Sequence, residues 1–303
     1  MASEAFVAIV EFLRESNLLG DPDASPQDLR AAMAGAGLIP LADDVVVEPI
    51  DAGGVPGEWT RVPGVRDDAA LLYLHGGGYV IGSPDTHRRL CGALARATGA
   101  PVLSLDYRLA PEHPHPAAVN DSTTAYSFLL ESGVSGVGLA PSRLAIAGDS
   151  AGGGLTVATL VKLRDDGVAQ PGAAVAISPW VDMTMTGESM VTLADADPLV
   201  KPVGIAKMRD WFIGDTDPTD PYASPLFADL SGLAPLLIHV GEIETLLDDS
   251  RRLHAAIVAA GGDSTIVEFP EMIHVFHAFA EIAPESDAAI GQAAEFVRKH
   301  LGL

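Results

Sequence analysis

The chain has 303 residues, 48% of them hydrophobic, with one cysteine and a formal charge of -23 from 18 basic and 41 acidic side chains. A chain of that length can bury one large core plus an insertion without needing disulfides or metal, and the lone Cys91 reads as a buried, inert thiol. Such acidity repels phosphate backbones and anionic lipid, which argues against nucleic acid and stable membrane association. No uncharged apolar stretch has the character of a membrane span. The N-terminus lacks a basic start and carries Glu4, Glu11 and Glu15 among its apolar residues, so it does not read as a signal peptide, and a cytoplasmic protein is expected.

Phe6, Ile9, Val10 and Leu13 recur at helical spacing and predict a first amphipathic helix. A second helix is predicted with Ser25 as N-cap, Pro26 at the first helical position, Gln27 to Ala34 as the body, and Gly35 and Gly37 at its end. The period then changes. DVVVEPI (44 to 50) and GEWTRV (57 to 62), separated by Gly and Pro, read as an antiparallel hairpin. Strand-like runs follow at 69 to 75, 101 to 107, 143 to 148, 172 to 179, 235 to 241 and 264 to 269, mostly continuous and apolar, as in strands covered on both faces. Helical patterns near 86 to 98, 117 to 131, 151 to 165, 245 to 260 and 286 to 301 alternate with them, which predicts an α/β fold: a mostly parallel sheet of about eight strands with helices on both faces. The interval 180 to 234 is too long for a simple connection and is read as an inserted helical segment, leaving 43 to 179 and 235 to 303 as the core.

Within that frame, GDSAG at 148 to 152 matches G-x-S-x-G between a predicted strand and a predicted helix, the context the pattern requires. A sharp turn there leaves no room for side chains at 148 and 152 and projects Ser150 at the carboxyl end of the sheet. The plainer reading is a glycine-rich connection or a phosphate loop, but no G-x-x-x-x-G-K-S/T run supports a nucleotide. A serine nucleophile needs a base and donors for the developing oxyanion. HGGG at 75 to 78 follows a strand, and its backbone supplies expected donors at Gly76 and Gly77, joined by Ala151. His75 itself reads as structural.

Of nine histidines, His274 follows the last predicted strand and can reach Ser150; His277 is its rival. His113 and His115 suggest a metal pair, but no third ligand at convincing spacing completes a site, so no metal or other cofactor is expected. The chain order nucleophile, acid, base puts the acid between 150 and 274. GEIETLLDDS offers Glu242, Glu244, Asp248 and Asp249, and Glu244 is favoured because the two aspartates fall inside the following helix; the plainer reading makes all four solvated carboxylates at a helix start.

HGGGY at 75 to 79, DYRLAPEHPHPAA at 106 to 118, GDSAGG at 148 to 153, DPLV at 197 to 200 and the histidine of EMIHVF together resemble the hormone-sensitive lipase family of α/β-hydrolases, the bacterial family IV esterases. The resemblance implies the α/β-hydrolase fold, a nucleophile at Ser150, a base at His274, oxyanion donors at Gly76, Gly77 and Ala151, and a cap built from residues 1 to 42 and part of 180 to 234. It departs from the family at the acid. The usual D-x-L-x-D is matched by Glu244 to Asp248, so glutamate stands where aspartate is usual, a variant that still orients an imidazole.

These residues predict a serine hydrolase acting on small ester substrates, and the resemblance implies a carboxylesterase for short- to medium-chain acyl groups. The alternatives are a lactone or amide hydrolase with the same triad, or a small-molecule receptor of the same fold. Phe6, Ile9, Leu13, Met208, Trp211 and Phe212 are candidates to line an apolar acyl pocket, with ordinary cap contacts as the competing reading. The last strand and helix leave an edge for a second copy, so a homodimer is among the expectations.

Overall fold

The computed structural model describes residues 2–16, 23–35 and 40–303. It opens with helices α1 (Glu4–Ser16) and α2 (Pro26–Ala34). Ser25 caps α2: the Asp28 N–H donates to Ser25 Oγ at 3.2 Å, and the Ser25 N–H donates back to Asp28 Oδ2 at 3.0 Å. That reciprocal pair satisfies two backbone donors that the first turn of a helix otherwise leaves free. Gly35 ends α2 with an ordinary right-handed φ of -58°; the expected stop at Gly37 lies outside the described residues.

Next come β1 (Val46–Asp51) and β2 (Pro56–Arg61), paired antiparallel as a hairpin. Strand and helix then alternate: β3 (Ala70–Leu74), α3 (Pro84–Thr98), β4 (Val102–Leu105), α4 (Ala117–Ser132), β5 (Leu144–Asp149), α5 (Ala151–Asp165) and β6 (Ala173–Ile177). A long excursion holds the short α6 (Ser189–Thr192) and α7 (Pro202–Ile213). The chain returns through β7 (Leu236–Ile243), α8 (Leu247–Ala259), β8 (Ser264–Ile273) and α9 (Pro284–Leu301). The eight strands form one sheet in the order β1-β2-β4-β3-β5-β6-β7-β8. Pairings of β2 are antiparallel, and all others from β4 to β8 are parallel.

The apolar runs conceal a period of two. In β3, Leu72 and Leu74 join a core with Tyr126 and Leu129 of α4 and Leu155 of α5, while Leu71 and Tyr73 face Leu90 and Leu94 of α3 and Ile290 of α9. Both faces of the strand are thus apolar because both are covered. Each fully buried leucine contributes about 1.5–3 kcal/mol. A third, smaller cluster joins Phe6 and Leu13 of α1 to Met272, Ile273 and Phe276 at the end of β8.

Parallel strands end on the same side of a sheet, and ligand sites in open α/β sheets collect there. Here β3 ends before His75, β5 before Ser150, β6 before Ser178, β7 before Glu244 and β8 before His274.

Candidate active site

Ser150 sits on the bend between β5 and α5 with φ 54° and ψ -120°. That backbone is costly for an L-residue, of order 1–3 kcal/mol, and persists only when its surroundings hold it. Its N–H donates to the Ile177 carbonyl at 2.8 Å, and its carbonyl accepts from the Trp180 N–H at 3.0 Å. A Cβ at Gly152 would overlap the carbonyl oxygens of Leu74 and His75, and one at Gly148 would overlap those of Gly152 and Leu74. Strands β3 and β5 can therefore close on the bend only with glycine at both positions.

His274 Nε2 lies 2.9 Å from Ser150 Oγ, and its Nδ1 lies 3.3 Å from Glu244 Oε1. Glu244 is fully buried, and its other oxygen, Oε2, accepts from the Gly241 N–H and from Ser178 Oγ, both at 2.9 Å. Burial alone would push the His274 imidazole down; the hydrogen bond and charge of Glu244 outweigh that, and its pKa ends above the ordinary 6.5. The competing acids lie elsewhere. Asp248 Oδ2 accepts from the Ser189 N–H at 2.8 Å. Asp249, raised to about 7 by burial, accepts from the Val181 and Asp182 N–H groups, and Glu242 is exposed. His277 points away, with Nε2 3.0 Å from His239 Nδ1.

The loop after β3 departs in one respect from expectation. The Gly76 N–H donates to Asp149 Oδ1 at 3.1 Å and so is already engaged. Gly77, Gly78 and Ala151 have N–H groups that meet no protein acceptor among the described residues. Gly77 has φ 116°, and a Cβ there would overlap the Ile81 carbonyl, so the loop cannot take this path with another residue. Asp149 is the anchor beneath it. Its buried carboxylate also accepts from Tyr73 OH at 2.6 Å and lies 3.4 Å from His87 Nε2. Burial works against both charges, but their mutual attraction prevails: His87 is raised and Asp149 lowered. His75 is structural here, stacked on Tyr107 with ring centroids 4.3 Å apart and held below its ordinary pKa, at about 3, by burial and the nearby His87. Neither Asp149 nor His87 stood out in the sequence; the aspartate was merely the x of G-x-S-x-G.

A cavity of about 240 Å³ opens above Ser150, lined by Gly76 to Gly78, Trp180 and His274 below and by Leu13, Met33, Leu199, Ile205 and Met208 above. Of the proposed lining residues, Leu13 and Met208 reach it. Phe6 does not: its ring meets Phe276 edge-on at 6.4 Å in the cluster beside β8. Ile9 belongs to the same cluster. Phe212 stacks on Tyr79 at 3.7 Å, and Trp211 turns to Lys207, whose Nζ is 5.0 Å from the ring centroid. Helix α7 offers the cavity Gly204, Ile205 and Met208, which share one face, and the two aromatics at its end pass the cavity by. His115 Nε2 lies 3.2 Å from Asp220 Oδ1, whereas His113 is exposed, so the PEHPHP pair does not converge.

Residues 71–278 match the α/β hydrolase fold family. The chain belongs to it. An acetyl-hydrolase of Streptomyces hygroscopicus is 46% identical over 87% of this chain and 85% of its own length. An esterase of Acinetobacter venetianus is 34% identical over 86% and 84%. Among solved structures, an esterase from the bacterial hormone-sensitive lipase family superposes with a TM-score of 0.94 at 47% identity, covering 100% of both chains. This α/β hydrolase therefore stands in the hormone-sensitive lipase branch, as its motifs imply.

Proposed function

We propose that the protein is a serine carboxylesterase in which Ser150 is the nucleophile, His274 the general base and Glu244 the acid that orients it. The observation that carries this reading is the unbroken line from Glu244 through His274 to Ser150 Oγ at the floor of an apolar cavity. His274 takes the Ser150 proton as Oγ attacks the ester carbonyl. The tetrahedral oxyanion forms facing the N–H groups of Gly77, Ala151 and Gly78, the last in place of Gly76. His274 then protonates the leaving alkoxide oxygen, and a water, deprotonated in turn by His274, attacks the acyl carbon, with the proton returned from His274 to Ser150 Oγ as the acyl bond breaks and the acid departs.

The small, apolar cavity supports short- to medium-chain acyl esters, with helices α1 and α2 and part of 180–234 acting as a cap over it. Among the described residues no helix is long and apolar enough to cross a membrane; the free, buried Cys91 supports a cytoplasmic site of action. The edge position of β8 supports pairing with a second copy, which sedimentation would test. A graded series of nitrophenyl esters tests the main reading. Wild type should favour short and medium chains, and Ser150→Ala should stay folded while losing turnover at every length. Retained turnover in that variant would overturn the assignment.

A further inference from the structure

The segment closing β6, Ile177 to Trp180, touches Ser150, Glu244 and the residue just after His274, although the mechanism above uses none of its side chains. Ile177 and Trp180 hold the Ser150 backbone from either side. Between them Ser178 is fully buried, and its φ of 47° places a non-glycine residue in the left-handed region. Strain of this kind persists where neighbours fix it, and it gathers at functional sites.

The neighbours are specific. The Ser178 N–H donates to the His239 carbonyl at 2.7 Å. Its Oγ donates to Glu244 Oε2 at 2.9 Å and accepts from the Val275 N–H at 3.1 Å. Val275 directly follows His274 and also has positive φ, 49°. One hydroxyl thus joins the buried acid to the backbone step just after the base. A glutamate carries its carboxylate on one more rotatable bond than an aspartate, so its orientation needs more fixing. With Oε2 held by Gly241 and Ser178, Oε1 is left facing His274 Nδ1.

We propose that Ser178 is a positioning residue of this triad, whose hydroxyl sets both the rotation of Glu244 and the turn that carries His274. The proposal rests on the triad reading given above. It is tested by a double-mutant cycle of Ser178→Ala with Glu244→Gln, measured as kcat and KM on a short nitrophenyl ester, with thermal midpoints recorded alongside. A hydrogen bond to a charged group accounts for roughly a 10- to 100-fold effect, so Ser178→Ala should lower kcat by about that factor while KM stays within about twofold. In the Glu244→Gln background the same change should cost measurably less, because the carboxylate it positions is gone and only its hold on the turn carrying His274 remains to be lost. Equal penalties in both backgrounds would mean that Ser178 only supports the fold, and an unchanged kcat in Ser178→Ala would likewise overturn the proposal. If Glu244→Gln itself proves fully active, the triad reading is what fails. Should the alanine variant not fold, Ser178→Cys, similar in size but a weak donor, runs the same cycle: kcat falls with KM held, or the proposal is refuted.

Discussion

Two buried carboxylates flank Ser150, and their partners are nearly the same in kind. Asp149 receives a hydroxyl from Tyr73, a glycine N–H from Gly76 and the imidazole of His87; Glu244 receives a hydroxyl from Ser178, a glycine N–H from Gly241 and the imidazole of His274. What separates them is the second nitrogen of each ring. His274 Nε2 faces Ser150 Oγ, whereas His87 Nδ1 lies 2.8 Å from Thr86 Oγ1 and 3.2 Å from the Ser83 carbonyl. One half of the site can move a proton to and from a nucleophile. The other, with both ring nitrogens facing fixed partners, can only hold the glycine loop in place.

The largest expected effect follows from breaking that difference. His274→Ala should cost turnover about 10⁵- to 10⁶-fold, as loss of a serine hydrolase base does elsewhere. His87→Ala, measured on the same ester, should cost no more than roughly a hundredfold, because it moves oxyanion donors instead of removing the base. Comparable losses in the two variants would erase the distinction. Glu244→Gln comes next, with kcat lowered by roughly 10³- to 10⁴-fold. Its pH profile gives a further sign. The base must be neutral and Glu244 holds its pKa above 6.5, so wild-type kcat/KM should fall as pH drops through a value above 6.5; without the carboxylate, burial dominates and the acid limb should move to lower pH.

Asp149→Asn should act more on stability than on chemistry, since removing one member of a buried ion pair typically costs about 3–5 kcal/mol. The sign with pH can be worked out from both partners. Asp149 is lowered from 3.8, so its contribution is present above 3.8 and fades as pH falls through the depressed value; His87 is raised from 6.5, so its contribution is present below 6.5 and fades as pH rises through the elevated one. Denaturant titrations of wild type and variant should therefore differ most between pH 3.8 and 6.5. The smallest effect is at the cavity wall: Met208→Ala should enlarge the acyl site and shift preference by one or two methylenes, worth about 1–3 kcal/mol in kcat/KM.

The same comparison explains what could be read in advance. Continuous apolar runs revealed the inner strands β3 to β7, because a strand covered on both faces must be apolar throughout, while the hairpin of β1 and β2 was marked by its Gly and Pro and the edge strand β8 by its place after β7. Ser150, Glu244 and His274 were legible because each lies in the short segment that follows a predicted strand, at the carboxyl end of the sheet. The cap was not. Helical spacing marked Phe6 as inward-facing and apolar character made Phe212 a candidate, and both are buried, but neither signal says against what: one packs on Phe276 and the other on Tyr79, while Leu13 and Met208 reach the cavity. Gly76 was misassigned for a related reason, since the acceptor that claims its N–H, Asp149, lies 73 residues away and is brought alongside by the pairing of β3 with β5. Ser178 carried no signal beyond its place at a strand end.

The most direct measurement is the site of covalent capture by a fluorophosphonate, mapped by peptide mass spectrometry in wild type and in His274→Ala. Wild type should carry one label, on Ser150, and the variant should react far more slowly at the same residue. A label on another side chain, or undiminished labelling of Ser150 without the imidazole, would contradict the assignment.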